Sequence, residues 1–294
     1  MEQIIDVTLA GLTFPCALRW RETAVFPLPD PAAPRVGIDP VRLRPEDWDY
    51  FRSTGMTETP QTEYSLLTAS FSDALMAFDR MILHGVALRW RDKAWLICGS
   101  SGVGKSTQTR FLQELRPGEF SVICGDRPAL EFRHTENVGT SIAFPPAPDP
   151  HPEGAGSLVP PQETAPIGEA HRGESPAHPL ERSSVPSTEA EKSASILVHP
   201  SPWNGKENWF GAEAAPLAGL ILLQRGEENR IATLPPREAA IRTYAQVIQT
   251  CTDPEKIKKA ASLITTLLNS VPIWQLTSHQ VPDSTKLLLE SVFE

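Results

Sequence analysis

The sequence predicts an α/β protein, a mixed sheet flanked by helices and interrupted by a long stretch that lacks a core-forming pattern. Three observations carry this expectation. Apolar runs at 94–98 and 120–124 bracket a helical repeat of Thr107, Phe111, Leu112 and Leu115. Another apolar run, 82–90, precedes them across the polar turn Arg91-Asp92-Lys93, so the first two strands meet as a hairpin. Beyond residue 194, apolar runs at 195–199, 217–223 and 271–276 alternate with helical ones.

Taken in order, residues 3–9 and 14–20 read as strands, and Pro27, Pro29, Pro31 and Pro34 mark a loop. Phe71, Ala74, Leu75, Ala77, Phe78 and Met81 predict an amphipathic helix that starts near Ser70 or Ser72. The strand at 82–90, the turn and the strand at 94–98 follow, and Arg116-Pro117-Gly118 stops the helix after the glycine loop. Between 145 and 194 prolines crowd among Ser, Glu, Gly and Ala with few large apolar residues. Such a composition buries too little to offset its ordering entropy, and a disordered insertion is expected there. The spacing of Ala240, Ile241, Tyr244, Val247 and Ile248 predicts a helix over 237–251. A second begins with Asp253 as cap, Pro254 at its first position and Glu255 in its first turn, and a last spans 282–293. The expected organisation is one domain made of 1–144 and 195–294, with 1–69 as N-terminal strands and loops joining it, and 145–194 inserted.

Composition narrows the function. The chain has 294 residues, 27 Lys+Arg against 36 Asp+Glu, and a net charge of −9, which argues against non-specific binding of nucleic acid. The first residues lack the basic and apolar regions of a signal peptide, and no apolar run reaches membrane-spanning length. Cys16, Cys98, Cys124 and Cys251 lie far apart without a C-x-x-C pair, so zinc is not expected and a cytoplasmic location is.

The chemistry centres on Gly99-Ser100-Ser101-Gly102-Val103-Gly104-Lys105-Ser106, followed by Thr107. This fits G-x-x-x-x-G-K-[ST] between a strand and a helix. Backbone N–H groups of such a loop cradle phosphates, Lys105 reaches the β- and γ-oxygens, and the Ser106 hydroxyl ligates magnesium. A nucleoside triphosphate with Mg²⁺ is therefore expected. The run at 120–124 ends in Gly125-Asp126, placing a carboxylate where a neighbouring strand would present it to the metal; the alternative is an Asp that only caps a turn. His84 is either a hydrogen-bonded structural residue or part of the site. Pro200-Ser201-Pro202-Trp203-Asn204-Gly205-Lys206-Glu207 presents a cation and a carboxylate on a stiffened loop. Lys206 could neutralise a transferring phosphoryl group and Glu207 could hold metal or orient a hydroxyl, or both could be solvated surface charges.

His84-Gly85-Val86, the glycine loop, Gly125-Asp126-Arg127 and Gly205-Lys206-Glu207, in this order, resemble the catalytic domain of HPr kinase/phosphorylase. Residues 70–132 and 195–230 carry the resemblance. It implies a phosphoenolpyruvate-carboxykinase-like fold and transfer of the γ-phosphoryl group of ATP to a serine hydroxyl. It also implies that Lys105 holds the β/γ phosphates, that Ser106 and Asp126 bind Mg²⁺, and that His84 tunes the acidic centre. Two positions depart from the family pattern: Gly125 stands where the family has its first Asp, usually taken as the base, and Lys206 where it has an Arg. The wording of these segments is more similar to a divergent branch, the lasso-peptide precursor kinases. The resulting expectation is a kinase acting on a serine of a peptide or small protein, with no nucleic-acid or membrane partner; a homo-oligomer is compatible with the sequence. A kinase for a small metabolite such as free serine, or an ATP-binding accessory protein that transfers nothing, are the alternatives. A conventional GTPase is disfavoured because no [NT]-K-x-D element is present.

Overall fold

In the computed structural model, residues 2–23, 26–133, 195–211, 213–249 and 253–293 are described; the insertion expected at 145–194 lies outside them, as does Cys251. The chain opens with β1 (Gln3–Leu9) and β2 (Leu12–Leu18), paired antiparallel in a sheet of their own. Ala10 and Gly11 both take positive φ, as the tight turn of a two-residue hairpin requires. Two helices follow, α1 (Pro45–Ser53) and α2 (Pro60–Leu75). The second starts about ten residues before the expected Ser70 or Ser72: Thr59 accepts a hydrogen bond from the Thr62 N–H as cap, and Pro60 takes the first helical position. Leu67, Phe71 and Leu75 of α2 pack onto Phe14 and Leu18 of β2, with the Phe14 and Phe71 rings edge-to-face at 5.9 Å.

The main sheet is mixed. Its central order is β3 (Arg80–Ile82), β7 (Ala129–Arg133), β8 (Ser195–His199), β9 (Ala215–Arg225), β5 (Lys93–Cys98), β4 (Gly85–Trp90) and β6 (Phe120–Cys124). β11 (Ile273–Ser278) pairs the later part of β9, residues 220–225, beyond the start of β9 that β8 pairs, and in turn pairs β10 (Arg230–Thr233). β5 and β11 run parallel to β9, and the other pairings are antiparallel. The single strand expected over 82–90 is two, β3 and β4, joined through Leu83 and His84.

Helices cover both faces of the sheet. β9 shows why, since its side chains alternate with a period of two. Leu220 and Leu222 meet Ala239 of α4 (Pro236–Tyr244) and Leu263, Ile264 and Leu267 of α5 (Pro254–Ser270). Ile221 and Leu223 meet Leu112 of α3 (Lys105–Leu115) and Leu288 of α6 (Val281–Leu288), whose last turn continues to Phe293. A buried polar network ties α3 to α6: Gln108 donates to Ser284 Oγ at 2.6 Å and accepts from Thr285 Oγ1 at 2.6 Å. The helix expected over 237–251 ends at Tyr244, because the residues after it turn back along the junction of β3 and β4.

β4 lies antiparallel to both of its neighbours, so β5 and β6 run parallel and finish at one edge of the sheet. The start of β4 and the end of β9 reach that same edge. Ligands collect outside the carboxyl ends of such strands. At the opposite end of the β7–β8 pair, Arg133 and Ser195 face each other as register partners. Among the described residues, no helix is long and apolar enough to cross a membrane.

Candidate functional site

The glycine loop leaves β5 at Cys98 and enters α3 at Lys105. Gly99, Gly102 and Gly104 all have positive φ, the backbone region in which a side chain is strained. Lys105 is buried; its ammonium donates to the carbonyls of Gly99 at 2.9 Å and Ser100 at 3.2 Å. It also lies 3.2 Å from His84 Nε2. Burial lowers its pKa from the ordinary lysine value, and the negative charge of Asp126 works against that shift.

His84 owes its place to the break between β3 and β4. Its N–H donates to the Gln246 carbonyl at 2.7 Å, while Ile248 N–H donates to Ile82 O at 2.9 Å. The segment after α4 thus clamps the junction from one side. The imidazole Nε2 stands 3.4 Å from Asp126 Oδ1 on its other flank. A neutral His84 can accept from Lys105 there, and a protonated one can donate to Asp126, so each protonation state has a partner.

Asp126 follows β6 at the turn into β7. Burial alone would raise its carboxyl pKa; the hydrogen bond from His84 and the charges of Arg127, His84 and Lys105 outweigh it and hold the group below the usual aspartate value. Its neighbours are fixed through the backbone. Arg127 N–H donates to Trp203 O, Ser201 Oγ donates to Arg127 O at 2.6 Å, and Gly125 N–H donates to Trp209 O at 3.0 Å. The loop 201–209 is therefore laid directly on Gly125. A Cβ at that position would stand 2.2 Å from the Asn204 carbonyl oxygen. No side chain fits at 125, which gives a physical reason for glycine where a second acidic residue was looked for.

These groups surround one cavity of about 610 Å³. Ser101, Gly102, Gly104, Lys105, Ser106 and Thr107 line it from the loop, with His84, Asp126, Lys206 and Glu207 from elsewhere in the chain. Glu207 is 3.6 Å from Arg110 of α3, and Lys206 is exposed. Two of the expected phosphate-binding residues do not line the space. Gly99 lies beneath it, so close to β9 that a Cβ would stand 2.6 Å from Leu223 O, and Val103 packs toward the α3 face of the core. Five further residues line it without having been singled out as site residues: Gly125, Arg127, Gly205, Arg225 and Ile248. Arg225 donates to the Gly102 carbonyl at 3.1 Å, from the end of the strand parallel to β5. Its position after the apolar run 217–223 was the only available signal.

For magnesium, the chain offers the Ser106 hydroxyl and the Asp126 carboxylate on the same cavity. Among the described residues no group of three or more His, Cys, Asp or Glu could hold a metal. Two hard oxygen donors and no closed cage fit Mg²⁺, which keeps waters and takes substrate phosphates as ligands. The buried Cys98, at the end of β5, is no rival nucleophile: burial pushes its thiol up to about 12. Compared with models of known protein families and with curated proteins, the chain matches none.

Proposed function

We propose that this chain is an ATP- and Mg²⁺-dependent kinase that transfers the γ-phosphoryl group to a hydroxyl, foremost a serine of a peptide or small protein. One observation carries the reading. The glycine loop, an aspartate and an exposed lysine, distant in sequence, line a single cavity at one sheet edge. The order of motifs supports the HPr-kinase-like family, with its phosphoenolpyruvate-carboxykinase-like fold, as the source of this arrangement, and a cytoplasmic location goes with the use of ATP.

In the reaction, the acceptor oxygen forms a bond to the γ-phosphorus, and the bond from that phosphorus to the β–γ bridging oxygen breaks, releasing ADP. Lys105 binds the phosphates, the loop N–H groups orient them, and Lys206 offsets charge on the moving group. Magnesium, held by Ser106 and Asp126, supplies charge neutralisation when bound. Asp126 takes the hydroxyl proton. Its lowered proton affinity makes it a weak base, and a loose phosphoryl transition state asks little of one.

The test is incubation of the full chain with labelled ATP, Mg²⁺ and serine peptides beside a Lys105→Ala control. Label in peptide above that control supports the kinase. The absence of a side chain at 125 favours one other reading, an ATP-binding protein that transfers nothing; bound ATP with an intact γ-phosphate under all acceptors would decide for it.

A further inference from the structure

A second cavity, of about 830 Å³, adjoins the first. The two share four lining residues: Asp126, Arg127, Gly205 and Lys206. No residue of the glycine loop lines the second space. A molecule held there would meet the phosphate site across these four residues, the aspartate and the lysine of the proposed transfer among them.

Three aromatic residues, Tyr64, Trp203 and Phe210, are among those that line it. Tyr64 OH donates to Pro202 O at 2.6 Å and Trp203 Nε1 donates to Tyr64 O at 2.7 Å. The polar ends of both residues are thus spent inside the protein. Phe210 is 49% exposed, after Trp209 at the end of the polar run Asn204-Gly205-Lys206-Glu207-Asn208. It is held there by its backbone bridge to Cys124, so its position does not depend on its ring. Pro27 adds to the wall, and Leu28 beside it in the chain is 94% exposed. A solvent-facing ring in the wall of a large cleft is what a ligand's apolar group would cover. The volume lies within the range of about 300–1,000 Å³ that holds drug-sized ligands, and free serine would leave most of it empty.

We infer that this second cavity is the acceptor subsite, and that it selects a peptide whose hydroxyl-bearing residue is flanked by a large apolar or aromatic side chain seated against Phe210. The inference rests on the kinase reading above. The probe is a library of 12-residue peptides with one fixed serine and randomised neighbours, offered with ATP and Mg²⁺ to the full chain and read by mass spectrometry. Enrichment of Phe, Trp, Leu or Met beside the phosphorylated serine is expected, with free L-serine left unmodified. Phe210→Ala should raise KM for the best library peptide tenfold or more, with kcat within about twofold and ATP affinity unchanged; Phe210→Leu should restore most of the loss. Phosphorylation without preference at the flanking positions, an unchanged KM in Phe210→Ala, or equal use of free serine would overturn the inference and leave the kinase standing. ATP binding with no transfer to any library member would overturn both.

Discussion

One wall of the phosphate cavity falls within a single run, 101–107, whereas the other draws on residues scattered from His84 to Ile248. The first wall carries its own geometry in three glycines at positive φ and a helix start. The second exists only because strands hold distant segments together. β3 ends in the approach to His84, β7 begins just after Asp126, and β8 leads into the loop that bears Lys206. What clamps these three strands is an ion cluster on Glu131. Its carboxylate accepts from Arg80 at 2.8 Å and Arg133 at 3.1 Å and lies 2.9 Å from His199 Nε2. The comparison teaches that the loop should tolerate damage elsewhere, while the opposite wall should fail as a unit.

The largest expected effect tests the loop itself. Lys105→Ala should slow transfer by about 10²–10³-fold, as loss of one charge-stabilising donor does. Its thermal midpoint should hold, because the lysine is buried against its own loop and its ionised form is already disfavoured. A large fall in the midpoint would mean that the loop is not self-sufficient.

Glu131→Gln tests the clamp. Burial would raise the Glu131 carboxyl, but the His199 hydrogen bond, Arg133 and Arg80 bring it down to about 2. A carboxyl depressed in the folded state contributes stability above its unfolded value of about 4.5, and that contribution fades as pH falls toward 2. Glu131→Gln should therefore cost on the order of 2–3 kcal/mol at neutral pH, and its deficit should shrink below pH 4.5. Urea unfolding at pH 7 and pH 3 checks the sign; a deficit that does not depend on pH would refute the clamp.

Next in size is Gly125→Asp. It would supply a second carboxylate beside Asp126, yet we expect lower activity together with about 1–3 kcal/mol of lost stability, because the Asn204 carbonyl occupies the space. A gain in rate would show that the loop at 201–209 yields easily. Smallest is a shift in pH response. His84→Ala removes the hydrogen bond that lowers Asp126, so the acid limb of the pH–rate profile should move up, with the alkaline side unchanged. A limb that stays in place would take His84 out of the electrostatics.

The same contrast decides what could be read before any coordinates existed. The glycine loop, the strand before it, the helix after it and the Asp253–Pro254 helix start are local patterns, and each stands where periodicity and capping put it. Asp126 was also reachable, since an apolar run ending in Gly-Asp is a short-range signal. The break at Leu83–His84 was not, because apolar residues continue on both sides of His84-Gly85 and only Gln246 and Ile248, far along the chain, enforce the junction. For the same reason the helix before them ends at Tyr244, short of the 251 that the apolar spacing predicts. β10 is four residues of mixed character that pairs only once β11 is present, and α2 had its start in Thr59–Pro60, a cap read past in favour of the serines at 70 and 72. Arg127 stands in the quoted Gly125-Asp126-Arg127 element, whereas Arg225 carries no local mark that separates it from any surface arginine.

The pairing of Arg133 with Ser195 has a consequence of its own. Two neighbouring positions at a hairpin's open end can accept sequence of any length or be rejoined by a tight turn. That junction lies a strand's length from Asp126, at the end of β7 and β8 opposite the sheet edge that bears the glycine loop. The β7–β8 pairing by itself sets no length on the sequence that joins the two strands.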